Sequence, residues 1–130
     1  MSIKNAVITA PGFPVARGGT AMAITVNIYY TGANSNARRF AEEMLTSGTV
    51  AAIKAEEGNL RYEYFCPLGD DTAVLLIDSW ASQQAIDRHH ASPMMKTIIA
   101  LREKYDLHMK VERYISDTEM PAADQQFIRK

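Results

Sequence analysis

The sequence predicts an α+β domain of β-α-β-β-α-β order, with a four-stranded antiparallel sheet carrying both helices on one face. Three observations predict it. Four segments are built from β-branched and aromatic residues that alternate with period two. Two stretches between them repeat apolar residues at helical spacing. The five-residue turn Pro67-Leu68-Gly69-Asp70-Asp71 joins the second strand to the third as a hairpin.

The first strand is A-I-T-V-N-I-Y-Y from Ala23 to Tyr30, with Ile24, Val26 and Ile28 on one side and Thr25, Asn27 and Tyr29 on the other. Gly32 and the Asn34-Ser35-Asn36 cluster end it and offer a helix N-cap. Ala37, Phe40, Ala41, Met44 and Leu45 then form the apolar stripe of an amphipathic helix, opposite Arg38, Arg39, Glu42 and Glu43. Ser47-Gly48 should kink that helix before it resumes toward Glu56, and Gly58 is a suitable C-terminal stop. Leu60 to Cys66 reads as the second strand, with Leu60, Tyr62, Tyr64 and Cys66 sharing a face; Cys66 is expected as a small buried hydrophobe. Ala73 to Trp80 is the third strand. Ser82 caps a helix to about His90, Pro93 opens a further helical segment to about Tyr105, and His108 to Ile115 is the last strand.

Outside this core, residues 1–20 hold two prolines and three glycines without a sustained period and read as an extended arm. The domain is assigned to 21–117, and 118–130 form a polar tail in which Phe127 and Ile128 are candidate anchors. Strand three points Val74 and Leu76 one way and Leu75 and Ile77 the other. Helices cover only one face of such a sheet, so a homodimer packed sheet against sheet is expected, a dimeric α/β barrel.

Fourteen basic and fifteen acidic residues leave a formal charge of −1, with no basic stripe to bind nucleic acid. No apolar run reaches the ~20 residues of a membrane span, and Ala21-Met22-Ala23 follows no continuous apolar leader. The single cysteine suits a reducing compartment, and a cytoplasmic location is expected. No H-E-x-x-H spacing, G-x-G-x-x-G, P-loop or G-x-S-x-G occurs, so neither a metal site nor a flavin or nicotinamide site is called for.

The chemistry-bearing residues cluster in D-S-W-A-S-Q-Q-A-I-D-R-H-H-A-S-P at 78–93 and E-E-G-N-L-R-Y-E-Y at 56–64. Trp80 ends a strand, where an indole can anchor a core, wall a pocket and donate its N–H. His89 lies at the edge of a helix's inner face, and imidazole is the ordinary near-neutral base. Asn27 is a polar amide in an apolar strand, which requires a partner. It lines a pocket if it faces the helices; otherwise it sits in the dimer interface. Tyr62, Tyr64 and the Met94-Met95 pair suit either core packing or an adaptable aromatic-binding cavity.

An acidic-x-Trp strand end, a downstream histidine, a Ser-Pro break and a Glu-x-Gly junction together resemble the antibiotic biosynthesis monooxygenase family over residues 22–116. The junction here is Glu56-Glu57-Gly58, without the family's proline, and Asp78 stands where the family's glutamate is usual. The resemblance implies a ferredoxin-like fold and a cofactor-independent monooxygenase that joins a quinol, phenol or polycyclic aromatic substrate to dioxygen. It implies His89 as base, Trp80 and Asn27 as hydrogen-bond donors, and Tyr62, Tyr64 and Met94 as substrate contacts. Two alternatives stay open: heme binding and degradation with His89 as axial ligand, and a non-catalytic dimeric small-ligand-binding module.

Overall fold

The structure, a computed structural model, describes residues 22–130 in full, and residues 7–10 and 13–15 in backbone only. Those two short stretches are β1 (Val7–Ala10) and β2 (Phe13–Val15), which pair antiparallel. The other residues of the expected 1–20 arm lie outside the described residues. Within the arm, β1 and β2 form a two-stranded sheet of their own, separate from the four-stranded one.

The domain proper runs β3 (Ile24–Thr31), α1 (Asn36–Thr46), α2 (Thr49–Lys54), β4 (Asn59–Phe65), β5 (Ala73–Trp80), α3 (Gln83–His90), α4 (Met94–Lys104) and β6 (His108–Ile115). A short helix, α5 (Ala122–Gln125), follows in the tail. The sheet order is β4-β5-β3-β6, antiparallel throughout, which is the ferredoxin-like split βαβ arrangement. Among the described residues no helix is long and apolar enough to cross a membrane.

Alternation decides which side chains meet the helices. On β5, Val74, Leu76, Asp78 and Trp80 are buried beneath them, whereas Leu75 and Ile77 stay half-buried on the open side. On β3, Ile24, Ile28 and Tyr30 join the core, and α1 contributes Ala37, Phe40, Ala41 and Met44. The expected kink is real: α1 stops at Thr46, Gly48 takes φ 81°, and α2 begins at Thr49. Leu45, assigned to the apolar stripe, is exposed instead, since it lies about 100° round the helix from the buried Met44.

Three further expectations are corrected. Leu60 is exposed, since the β4–β5 register shifts between Asn59 and Arg61 and takes Leu60 out of the alternation. Cys66 is exposed, because β4 ends at Phe65 and the cysteine lies beyond the ladder. Phe127 and Ile128 are exposed as well, and α5 buries no residue, so the tail is not anchored on its own domain.

Gly58 has a packing role beyond ending a helix. Its φ is 86°, and a Cβ built there would lie 2.5 Å from the Ala85 Cβ at the start of α3. The Ala81 N–H donates to the Gly58 carbonyl at 2.8 Å, which ties the same junction to the end of β5. We expect Gly58→Ala to cost roughly 2–4 kcal/mol, from left-handed strain plus overpacking. Gly48→Ala, equally left-handed at φ 81° but with nothing within 4 Å, should cost only about 1 kcal/mol. Urea denaturation of the two variants measures the difference; equal losses would mean that the contact with Ala85 carries no energy.

Candidate functional site

A cavity of about 230 Å³ lies between the helix-covered face of the sheet and the pair α3 and α4. Val26, Ile28, Leu76, Ile86, Ile98 and Val111 make it largely apolar, while Asp78, Trp80, His89 and Tyr62 supply its chemistry. His90, Arg102 and Arg113 also line it.

The sequence places His89 by a short chain of causes. Ser82 Oγ accepts the Ala85 N–H at 3.1 Å and so starts α3 in register. Seven residues past that cap, His89 turns inward and is 5% exposed. Its ring stacks on Trp80, with centroids 4.7 Å apart and planes 28° from parallel. Tyr62 approaches edge-on at 6.5 Å. His89 Nδ1 is 2.8 Å from Glu56 Oε1, in a pair whose side chains are 7% and 14% exposed. A carboxylate at Nδ1 settles that nitrogen as the donor and leaves Nε2 as the basic atom. Glu56 reaches it because Gly58 lets the α2–β4 junction lie against α3.

Asp78 is a second buried acid, 6% exposed, and its Oδ1 has no hydrogen-bond partner. Burial pushes its pKa up to about 6; the Trp80 indole N–H, His89 and Arg102 pull the other way. Arg102 donates through Nε and Nη2 to Tyr30 Oη, at 3.2 and 2.9 Å. Burial raises the Tyr30 phenol, and Arg102 offsets part of that rise. The phenols of Tyr62 and Tyr64 are also raised, chiefly by burial, so both are neutral donors near pH 7. Partial burial, and then the charge of His89, lower His90.

Of the six residues singled out from the sequence, His89, Trp80 and Tyr62 line one cavity. Asn27 does not join them. It pairs with Ile77 and Glu112 and projects from the open face of the sheet, away from the cavity. Tyr64 packs behind Tyr62, with centroids 5.9 Å apart, and lies outside the lining. Met94 packs against the core while Met95 faces the cavity, because consecutive helical residues point about 100° apart. Trp80 sets its N–H toward Asp78 rather than leaving it free for a substrate oxygen. Glu56 was visible in the sequence only as part of the Glu-x-Gly junction and Asp78 only as a departure from the family's glutamate, and Arg102 and Arg113 carried no local signal.

The split βαβ scaffold thus carries a cavity in which a carboxylate-held histidine stacks on a tryptophan. The match to the model "Antibiotic biosynthesis monooxygenase" spans residues 23–101, and the chain belongs to that family. Solved structures agree on the fold. SnoaB from Streptomyces nogalater, a cofactor-independent oxygenase, superposes with a TM-score of 0.64 at 16% identity, over 78% of this chain and 99% of its own. A candidate antibiotic biosynthesis monooxygenase from Deinococcus radiodurans gives 0.65 at 16% identity, over 75% and 96%. A protein from Pseudomonas aeruginosa gives 0.63 at 21%, over 75% and 96%. No curated protein sequence matches the chain.

Asp78 makes stability depend on pH. Its folded value of about 6 lies above the ordinary 3.8, so the folded chain keeps a proton that the unfolded chain releases in that window. Stability should fall as pH rises from about 4 to 6, by up to about 3 kcal/mol, and stay low above it. Asp78→Asn should remove this slope and be the more stable form at pH 8. Urea denaturation at a series of pH values tests this, and parallel curves for the two proteins would contradict it.

Proposed function

We propose that the protein is a cofactor-independent monooxygenase acting on a phenol or quinol of one or two rings. The observation that carries the reading is His89, held at Nδ1 by Glu56 and stacked on Trp80, with its ring lining an apolar cavity. Family membership and the likeness to an oxygenase that works without a cofactor support it. Size narrows the substrate class. A cavity of ~150 Å³ holds benzene, so one of about 230 Å³ suits one or two rings rather than a large polycycle.

In this scheme the substrate hydroxyl gives its proton to His89 Nε2, and Glu56 steadies the imidazolium that forms. The electron-rich phenolate passes one electron to dioxygen. The phenoxyl radical and superoxide then combine at a ring carbon that bears hydrogen, giving a hydroperoxide once the proton returns. Loss of that C–H proton with cleavage of the O–O bond forms a quinone carbonyl and releases water. One oxygen atom enters the product, the other leaves as water, and the substrate supplies the electrons. Tyr62 and the Trp80–His89 stack hold the ring beside the base.

A heme-degrading alternative requires Asn27, Trp80 and His89 around one macrocycle. Asn27 lies across the sheet from His89, and the cavity is smaller than the ~300 Å³ at which pockets for drug-sized ligands begin. The residues do not fit that group.

The working unit in this reading is a homodimer. Tyr29, Leu75, Ile77, Phe65 and Tyr114 share the open face of the sheet, and the Oδ1 of Asn27 at its centre is buried without a partner. A second copy would cover those groups and bring a polar partner to Asn27. Sedimentation velocity should give a dimer for the native chain and a monomer for Ile77→Glu; a native monomer contradicts the proposal.

Dioxygen uptake with a panel of quinols and naphthols, without added cofactor, tests the chemistry. His89→Ala should lower the rate by about 10²–10⁴-fold. Uptake no faster than autoxidation in the native protein would leave the cavity as a ligand-binding site without turnover.

A further inference from the structure

Asp78 takes no part in the proposed oxygenase chemistry. Asp78 is buried beneath the helices and lines the cavity, and its Oδ1 has no hydrogen-bond partner. The nearby cations are engaged elsewhere. Arg102 is held by Tyr30 Oη, Arg113 donates to Gln83 Oε1, and His89 Nδ1 is held by Glu56. A carboxyl oxygen kept dry and unpaired is a cost to the fold, and a hydroxyl donor seated in the cavity against Asp78 would relieve it.

Asp78 and His89 are also tied to the same indole. Asp78 and Trp80 stand two residues apart on one face of β5, roughly 7 Å along the strand. The carboxyl takes the N–H of Trp80, and the imidazole takes its face. The indole thus links the two groups along one wall of the cavity.

We propose that Asp78 is a specificity-determining residue: its Oδ1 accepts a hydrogen bond from a second hydroxyl of a substrate whose first hydroxyl lies at His89 Nε2. The substrate class is then a dihydroxyarene of one or two rings rather than a simple phenol. An ionised carboxylate is acceptor-only, so it selects a donor and disfavours a carbonyl or an ether at that place. This rests on the oxygenase reading for the placement of the first hydroxyl at His89.

Binding without turnover separates the two ideas. The native protein is titrated calorimetrically with resorcinol and with phenol, in the absence of dioxygen at pH 8. Resorcinol should bind about tenfold or more tightly than phenol, as expected for a charge-assisted hydrogen bond. Asp78→Leu, close in volume and without an acceptor, should bring the ratio to about one while phenol still binds. Asp78→Asn, which keeps an acceptor and loses the charge, should fall between them, and it serves if the leucine variant does not fold. A ratio near one in the native protein, a ratio unchanged in both variants, or no binding of either ligand overturns the inference. A high ratio that depends on Asp78, together with no dioxygen uptake on any quinol, would overturn the oxygenase reading and leave the role of Asp78 standing.

Discussion

Gly58 and Ala85 touch across a gap that has no room for another carbon. The chain leaving α2 can therefore lie flat against the first turn of α3, and that approach carries Glu56 to His89. Once its Nδ1 is held, the imidazole has one orientation, stacked on Trp80. Trp80 in turn is fixed as the last residue of a central strand and is almost wholly buried. The wall of the cavity thus depends on a contact between two residues, Gly58 and Ala85, that supply no chemistry themselves. A side chain at position 58 would change more than local strain, because it would push the carboxylate away from the ring it steadies.

The electrostatics of the cavity are those of a site with separated roles. The Glu56–His89 pair is closed on itself, and a proton arriving at Nε2 meets a carboxylate behind the ring and the C-terminal end of α3 beside it. Asp78 has no such closed partnership, and burial alone is enough to lift it toward neutrality. Two acids near one histidine therefore differ in kind: Glu56, behind the ring, is spent on orientation, and Asp78, in the cavity lining, is left available. Tyr62 in the lining, and Tyr30 and Tyr64 outside it, add polarity without charge, since burial keeps all three protonated.

The element order was readable because alternation and helical spacing are local properties, and the break at Ser47-Gly48 and the cap at Ser82 are local as well. What failed depended on distant partners. Leu60 obeys the alternation of its own strand, but the shift against β5 moves it out of phase. Met94 and Met95 are equivalent in the sequence, and only the packing of α4 on the sheet separates them. Asn27 could face either way until β3 was paired on both sides, and its neighbours Ile77 and Glu112 then placed it on the open face. For the site, His89 and Trp80 could be read from a short window. The contact between Glu56 and His89 joins residues 33 positions apart, and no local pattern announces it.

The sheet order leaves β6 at an edge, and Met109 and Val111 face the cavity from it while remaining 41% and 51% exposed. The other walls of the cavity are also the walls of the hydrophobic core, where any change of volume disturbs packing across the domain. The β6 wall is not under that constraint. Side chains there can grow or shrink with little effect on stability, so this strand is the evolvable side of the molecule. Along it, relatives of the chain can acquire room for a different ligand while keeping the same base, the same indole and the same fold.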